Sequence, residues 1–328
     1  MKFGPTPLSL AEGAVLAHSM SLPSGKMRKG RVLSSEDVAA LRDAGTTEVI
    51  AAVLDETDVG ENAAAAQLAQ ALAGHGTGVT ISNAFTGRSN ILAAGPGVVV
   101  LDVAAIEAVN MVHPMITVAT VPQMQQMRSG GMIATIKIIS YAVPGEALAA
   151  ACVAAQDAVR LAVPELSNAR LIITEVPDGA GEKGRDAIAA RLEALGVDLC
   201  ATQMVAHRVE ALAGAIAASQ EDLVLILTGS ATSDSDDVAP AALRASGGHV
   251  ERFGMPVDPG NLLFLGELKG RAIIGLPGCA RSPALNGADW VLSRVVCGIA
   301  VSSGDIARMG VGGLLKEIPT RPQPRRGG

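Results

Sequence analysis

The chain has 328 residues, of which 49% are apolar and 18% charged, with one Trp, one Tyr and four Phe. Intrinsic disorder is excluded, since it requires few apolar residues and a high net charge, and the length suits two domains with a sizeable core. Twenty-six basic against thirty-two acidic residues leave a formal charge of −6, which offers no general footprint for nucleic acid, and so few rings leave little for base stacking.

Cys152, Cys200, Cys279 and Cys297 lie far apart without a Cys-x-x-Cys spacing. Neither a disulfide framework nor a zinc site is expected, and a reducing, cytoplasmic setting is. The first residues, MKFGPTPLSLAEG, lack the apolar core of a signal peptide. Mean hydropathy is +0.36, yet the longest apolar stretch, Glu146–Val163, is broken by Gln156, Asp157 and Arg160. A membrane span needs about 20 apolar residues in a row, so no membrane association is expected.

In chain order, Ser34-Ser35-Glu36-Asp37 reads as a capping box opening a helix to Ala44, stopped by Gly45. A strand follows over Thr47–Val53, then an Ala-rich helix over Asn62–Ala73 ending at Gly74, with Asp58, Glu61 and Asn62 as cap residues. Short strands at Gly97–Asp102, Met115–Val121 and Met132–Ser140 are punctuated by Pro and Gly. Residues 1–145 thus read as a small mixed α+β domain. A helix over Glu146–Leu161 bridges into a second domain, 146–315.

There, strands at Leu171–Thr174, Val197–Val205 and Leu223–Leu227 alternate with helices at Gly184–Leu195, Arg208–Ala218 and Val238–Ser246. Such alternation predicts βαβ units and an α/β, doubly wound, mostly parallel sheet. Leu262–Glu267 and Arg271–Leu276 form a hairpin, Ala284–Cys297 is the last substantial helix, and the Pro/Arg-rich tail, 316–328, reads as disordered.

The strand Leu223–Leu227 runs into Thr228-Gly229-Ser230-Ala231-Thr232-Ser233, then Asp234, Asp236 and Asp237, then a helix. Small residues let backbone N–H groups approach a ligand, and a helix N-terminus favours an anion. Acidic residues at such a place suit a bridging divalent cation, although Asp and Ser also serve as ordinary caps and turns. A second strand-to-helix loop, Gly275–Pro283, offers Arg281, whose planar fork suits phosphate or carboxylate. Cys279 in it reads as a small packed residue. A third loop, Gly254–Asn261, precedes the hairpin and is a candidate wall. His207 follows a strand and is either a structural histidine or a pH-sensitive anion ligand or base. The run Lys26–Arg31 is a solvated turn or a phosphate-facing patch.

Leu227–Ala242, with Asp237-Val238-Ala239-Pro240, resembles the pterin-binding loop of the molybdopterin-binding domain found in molybdopterin adenylyltransferases and molybdenumtransferases. Gly275–Ser282 resembles the Pro-Gly loop of the molybdenumtransferases, and Pro259-Gly260 their Pro-Gly-Lys turn. Leu16-Ala17-His18, Lys29-Gly30-Arg31, Gly254–Asn261 and Pro277–Pro283 are similar to a bacterial molybdopterin-binding group often fused to a molybdenum cofactor cytidylyltransferase domain. No such nucleotidyltransferase domain is expected after Gly313. The family pattern departs at Ser230 and Asp234, where it has glycines, at Asn261, where it has Lys, and at Cys279-Ala280, where it has Asn-Pro. Near His207 the adenylyltransferases carry an acid instead.

The resemblance implies a three-layer fold and a ligand, molybdopterin, with Mg²⁺ and ATP or molybdate as companions. It implies contacts from Thr228, Gly229, Ser230, Ala231, Thr232, Ser233, Asp234, Asp258, Asn261, Pro277, Gly278, Arg281, Ser282 and His207, and a catalytic or Mg²⁺-linked role for Asp237. It leaves open an adenylyl- or molybdenum-transferase, a non-catalytic hand-over module serving a cytidylyltransferase or molybdoenzyme, and a nucleotide pyrophosphatase-like hydrolase. A homo-oligomer is expected by the same analogy.

Overall fold

The computed structural model describes residues 1–75, 78–177 and 179–315; the tail read as disordered lies outside them. The chain divides into two compact units. The first comprises Met1–Ala94, Val99–Gln125 and Ser129–Leu161, and the second Gly95–Val98, Gln126–Arg128 and the chain from Ala162 onward. Among the described residues no helix is long and apolar enough to cross a membrane.

In the first unit, Lys2–Pro7 and Val15–Leu16 flank Glu48–Val53 in an antiparallel sheet. The helix Ser35–Asp43 starts at the expected capping box, with the Ser34 hydroxyl accepting from the Asp37 amide and the Asp37 carboxylate accepting from the Ser34 amide. A second antiparallel sheet has the order Ile116–Thr120, Met132–Ile138, Arg88–Ala93, Val79–Ile81. The helix Glu61–Ala73 buries Ala64, Ala65, Leu68, Ala69 and Leu72. Its cap differs from the expectation. Gly60 is the N-cap without a side-chain bond, the Asp58 carboxylate accepts from the Asp55 amide, and Asn62 accepts from Gly87.

In this unit, two helices differ from the sequence reading. Val103–Val112 was not expected; Asp102 caps it. The helix expected over Glu146–Leu161 covers only Gly145–Ala154. Asp157 takes a φ of 55°, which ends any right-handed helix, and Val159–Ala162 is a strand.

The second unit carries the sheet of interest. Its strands are β1 (Asn168–Glu175), β2 (Asp198–Ala206), β3 (Leu223–Leu227), β4 (His249–Phe253), β5 (Phe264–Leu268) and β6 (Arg271–Leu276). Its main helices are α1 (Arg185–Glu193), α2 (Val209–Ala218), α3 (Val238–Ala245) and α4 (Gly287–Val296). The strand order is β2-β1-β3-β6-β5-β4. β1, β2, β3 and β6 pair in parallel, and β5 is antiparallel to both of its neighbours. The sheet is therefore mixed but mostly parallel.

Alternation sorts the side chains. Leu171, Ile173, Leu223, Leu225, Leu227 and Ile274 cluster with Ile188 and Leu192 of α1 and Val291 and Leu292 of α4. Ile172, Val224, Ile226 and Ile273 cluster instead with Leu212 and Ile216 of α2 and Ala242 and Leu243 of α3. Both faces of the sheet are thus covered, which is why β3 reads as an unbroken apolar run. All five of its residues are fully buried.

Next to it, the half-buried Arg170 of β1 makes a two-toothed bond to Glu221, with Nε to Oε2 at 2.8 Å and Nη2 to Oε1 at 2.9 Å. Hydrogen bonding from Arg170 holds the Glu221 carboxyl at about 2, against an ordinary 4.5. A depressed carboxylate stabilises the fold above the unfolded value and loses that contribution as pH falls through the folded one. Glu221→Gln is expected to cost about 2 kcal/mol at neutral pH and to flatten the acid limb of the stability curve between pH 4.5 and about 2. Urea titrations over that range measure both.

Candidate functional site

The order β2-β1-β3 places successive strands on opposite sides of β1, so the sheet switches direction between β1 and β3. Ligands of open α/β sheets bind outside the carboxyl ends of the strands at such a point. The ends here are Glu175 and Leu227, with Ala206 beside them.

The β3–α3 loop leaves this point on a close approach. A side chain at Gly229 would set its Cβ 2.6 Å from the Thr174 carbonyl oxygen. The Gly229 amide donates to the buried Thr174 hydroxyl at 2.9 Å, and that hydroxyl lies 2.8 Å from His207 Nδ1. Thr228 and Thr232, both buried, bring their hydroxyls to 3.4 Å of each other. At the far end, the Ser233 amide donates to Asp237 Oδ2 at 2.9 Å, and the Val238 amide to Oδ1 at 2.7 Å. Asp237 is thereby the N-cap of α3 and the tie of the loop. Asp234 accepts from the Asp236 amide, and Asp236 pairs with Arg244.

Between the two fixed amides, those of Ser230, Ala231 and Thr232 have no internal acceptor among the described residues. Ser230 and Ala231 are exposed. These are consecutive donors in the loop that leads to α3, and a run of main-chain donors of this kind can receive an anion.

Arg281 does not face this loop as a free cation. Its Nη2 donates to the Thr228 carbonyl at 2.9 Å, and its Nη1 to the carbonyls of Lys183 and Gly181. Burial pushes its guanidinium pKa down. Gly184, at φ 99°, runs so close that a Cβ would come within 2.8 Å of Arg281 Cα. Arg281 therefore ties the β1–α1 loop, the β3–α3 loop and its own together.

A second arginine, which the sequence did not single out, holds the Pro-Gly loop. Arg191 of α1 donates to the carbonyls of Ala280, Ser282 and Ala284 and pairs with Asp289. The buried Asn286 caps α4 reciprocally with Asp289 and donates to the Cys279 sulfur. That capping pattern is readable in the sequence and corrects the start of the helix from Ala284 to Gly287.

The remaining candidates spread outward. Pro277 is buried, whereas Gly278 and Ser282 are exposed on a 3₁₀ turn, Gly278–Arg281. In the third loop, Asp258 and Asn261 are exposed. The Asn261 amide donates back to the Met255 carbonyl at 3.3 Å. Hollows of about 480 Å³ beside His249, Glu267 and Val301, and about 310 Å³ beside Ala190, Pro283 and Leu285, are lined by other residues. The loop presents an open row of backbone donors.

Residues 171–294 match the family described as a probable molybdopterin binding domain. This segment belongs to the molybdopterin-binding domain family. All three loops singled out in the sequence fall inside it. Residues 5–53 match a domain of unknown function, and no curated relative matches the chain.

Among solved structures, the chain is similar to a molybdopterin biosynthesis moea protein from Pyrococcus horikosii. The pair share 13% identity over 94% of this chain and 77% of that one, with a TM-score of 0.32. It is similar to a molybdenum cofactor biosynthesis protein B at 13% identity, over 40% and 88%, with a TM-score of 0.27. A protein CinA of unknown function from Thermoplasma acidophilum is 18% identical over 35% and 90%, with a TM-score of 0.24.

Because Arg281 bonds three backbone carbonyls, Arg281→Lys is not expected to substitute for it. The change is expected to cost about 2 kcal/mol and to raise amide exchange in 179–184 and 228–233 while leaving β3 protected. Hydrogen-exchange mass spectrometry reads both.

Proposed function

We propose that the second unit binds molybdopterin by its phosphate on the amides of Ser230, Ala231 and Thr232, as a carrier in molybdenum cofactor biosynthesis. The observation behind this reading is the row of donors that have no internal acceptor among the described residues, between two fixed ones, inside the segment that matches the molybdopterin-binding family. A phosphate dianion supplies acceptors only, and neutral amides take it without adding charge. Thr228, Gly229, Ser233 and Arg281 build the loop, and on this reading Asp234, Asp258, Asn261, Pro277, Gly278, Ser282 and His207 are the further candidate contacts of the ligand.

The carrier reading is favoured over a transferase because both Asp237 oxygens already accept backbone amides. A Mg²⁺ on Asp237, with ATP or molybdate as co-substrate, belongs to the transferase reading. The carrier would act in the cytoplasm, deliver to a cytidylyltransferase or molybdoenzyme, and assemble as a homo-oligomer on a three-layer unit.

Calorimetry of the full chain with molybdopterin tests the site. Ala231→Pro deletes one exposed donor and is expected to weaken binding about tenfold, the effect of roughly 1.4 kcal/mol, without lowering Tm. Binding equal to the parent would remove the loop as the site. Incubation with Mg²⁺ and ATP is expected to give no adenylylated product; product formation abolished by Asp237→Asn would instead establish the transferase.

A further inference from the structure

The Thr174 hydroxyl touches both the β3–α3 loop and a histidine. It lies at the end of β1, is 1% exposed, and has two partners, the Gly229 amide at 2.9 Å and His207 Nδ1 at 2.8 Å. A hydroxyl has one proton to give and two lone pairs. The Gly229 N–H can only donate, so it occupies a lone pair. Were Nδ1 also to donate, the hydroxyl proton of a fully buried residue would have no acceptor among the described residues, which buried polar groups avoid. The bond to His207 therefore runs from the Thr174 hydroxyl to Nδ1. That places the imidazole proton on Nε2, the nitrogen with no internal partner among the described residues. The main chain of His207 is anchored as well, its amide donating to the Glu175 carbonyl at 3.0 Å.

We propose that Thr174 is a positioning residue of the site: one hydroxyl sets the first amide of the loop and fixes His207 as a neutral Nε2–H donor for the bound oxyanion. The close approach of Gly229 to the Thr174 carbonyl keeps the hydroxyl in register with the amide. The oxyanion part rests on the proposed phosphate site; the tautomer part does not. His207 then adds a side-chain donor to the backbone row, and the donor set contains no cation. The class of ligand this suits is a phosphate monoester whose charge is met by hydrogen bonds alone.

The test is nitrogen-15 NMR of the full chain in mildly alkaline buffer, with calorimetry in parallel. Two-bond proton–nitrogen correlations report which ring nitrogen carries the proton. The parent and Thr174→Ser are expected to show His207 protonated on Nε2. Thr174→Val, which keeps the shape and removes the hydroxyl, is expected to mix the tautomers and shift the Gly229 amide. With molybdopterin as titrant, Thr174→Val is expected to weaken binding about tenfold and Thr174→Ser to stay within about twofold.

A parent His207 protonated on Nδ1 overturns the proposal without any variant. So does a folded Thr174→Val with unchanged tautomer and unchanged Gly229 resonance. A parent in the expected tautomer that binds no molybdopterin supports the positioning role and removes the phosphate reading.

Discussion

Gly229 passes so close to the end of β1 that no side chain fits between them, and the site takes its form from that crossing. β3 is buried on both faces and held in parallel register with β1 and β6. Its continuation must therefore leave the sheet at one point. With a glycine there, the chain turns directly over β1 and its amide meets the Thr174 hydroxyl. Each later feature, from the exposed amides to the cap of α3, inherits its position from this first contact.

The chain is acidic overall, and three aspartates stand in the loop itself. The structure gives each of them a local partner. Asp237 caps α3 and grips Ser233, Asp234 accepts from Asp236, and Asp236 meets Arg244. The carboxylates fold the loop by accepting backbone hydrogen, a use that leaves amides further up pointing outward. The two arginines act in the same idiom from the opposite side: Arg281 and Arg191 donate to carbonyls of neighbouring loops. Side-chain charge is spent largely on the backbone.

Local rules carried much of this architecture in the sequence. The Leu223–Leu227 strand, the Ser34 capping box and the β5–β6 hairpin follow from apolar runs, cap spacing and a Lys-Gly turn, all of them short-range. Where tertiary context decides, the sequence was silent or misleading. An Ala-rich run through 146–161 reads as one helix, yet Asp157 turns and its amide bonds Ala71. β4 is an edge strand with three charged or titratable residues in five, so it offers no apolar signature. The loop after β3 was legible as a ligand loop from its small residues. That Arg281 would donate to Thr228, or that Thr174 would reach both Gly229 and His207, depends on contacts dozens of residues apart, and no local pattern encodes them.

The Pro-Gly loop is shaped by what its backbone accepts. Arg191 reaches the carbonyl oxygens of Ala280, Ser282 and Ala284, atoms that every residue type possesses. A path anchored in that way is insensitive to which side chains decorate it. Cys279 and Ala280 can be exchanged for other side chains while the strand-to-helix passage keeps its course. Drift in sequence at this corner is thus decoupled from drift in form, and the place where such drift would be felt is a residue on a helix nearly a hundred positions earlier.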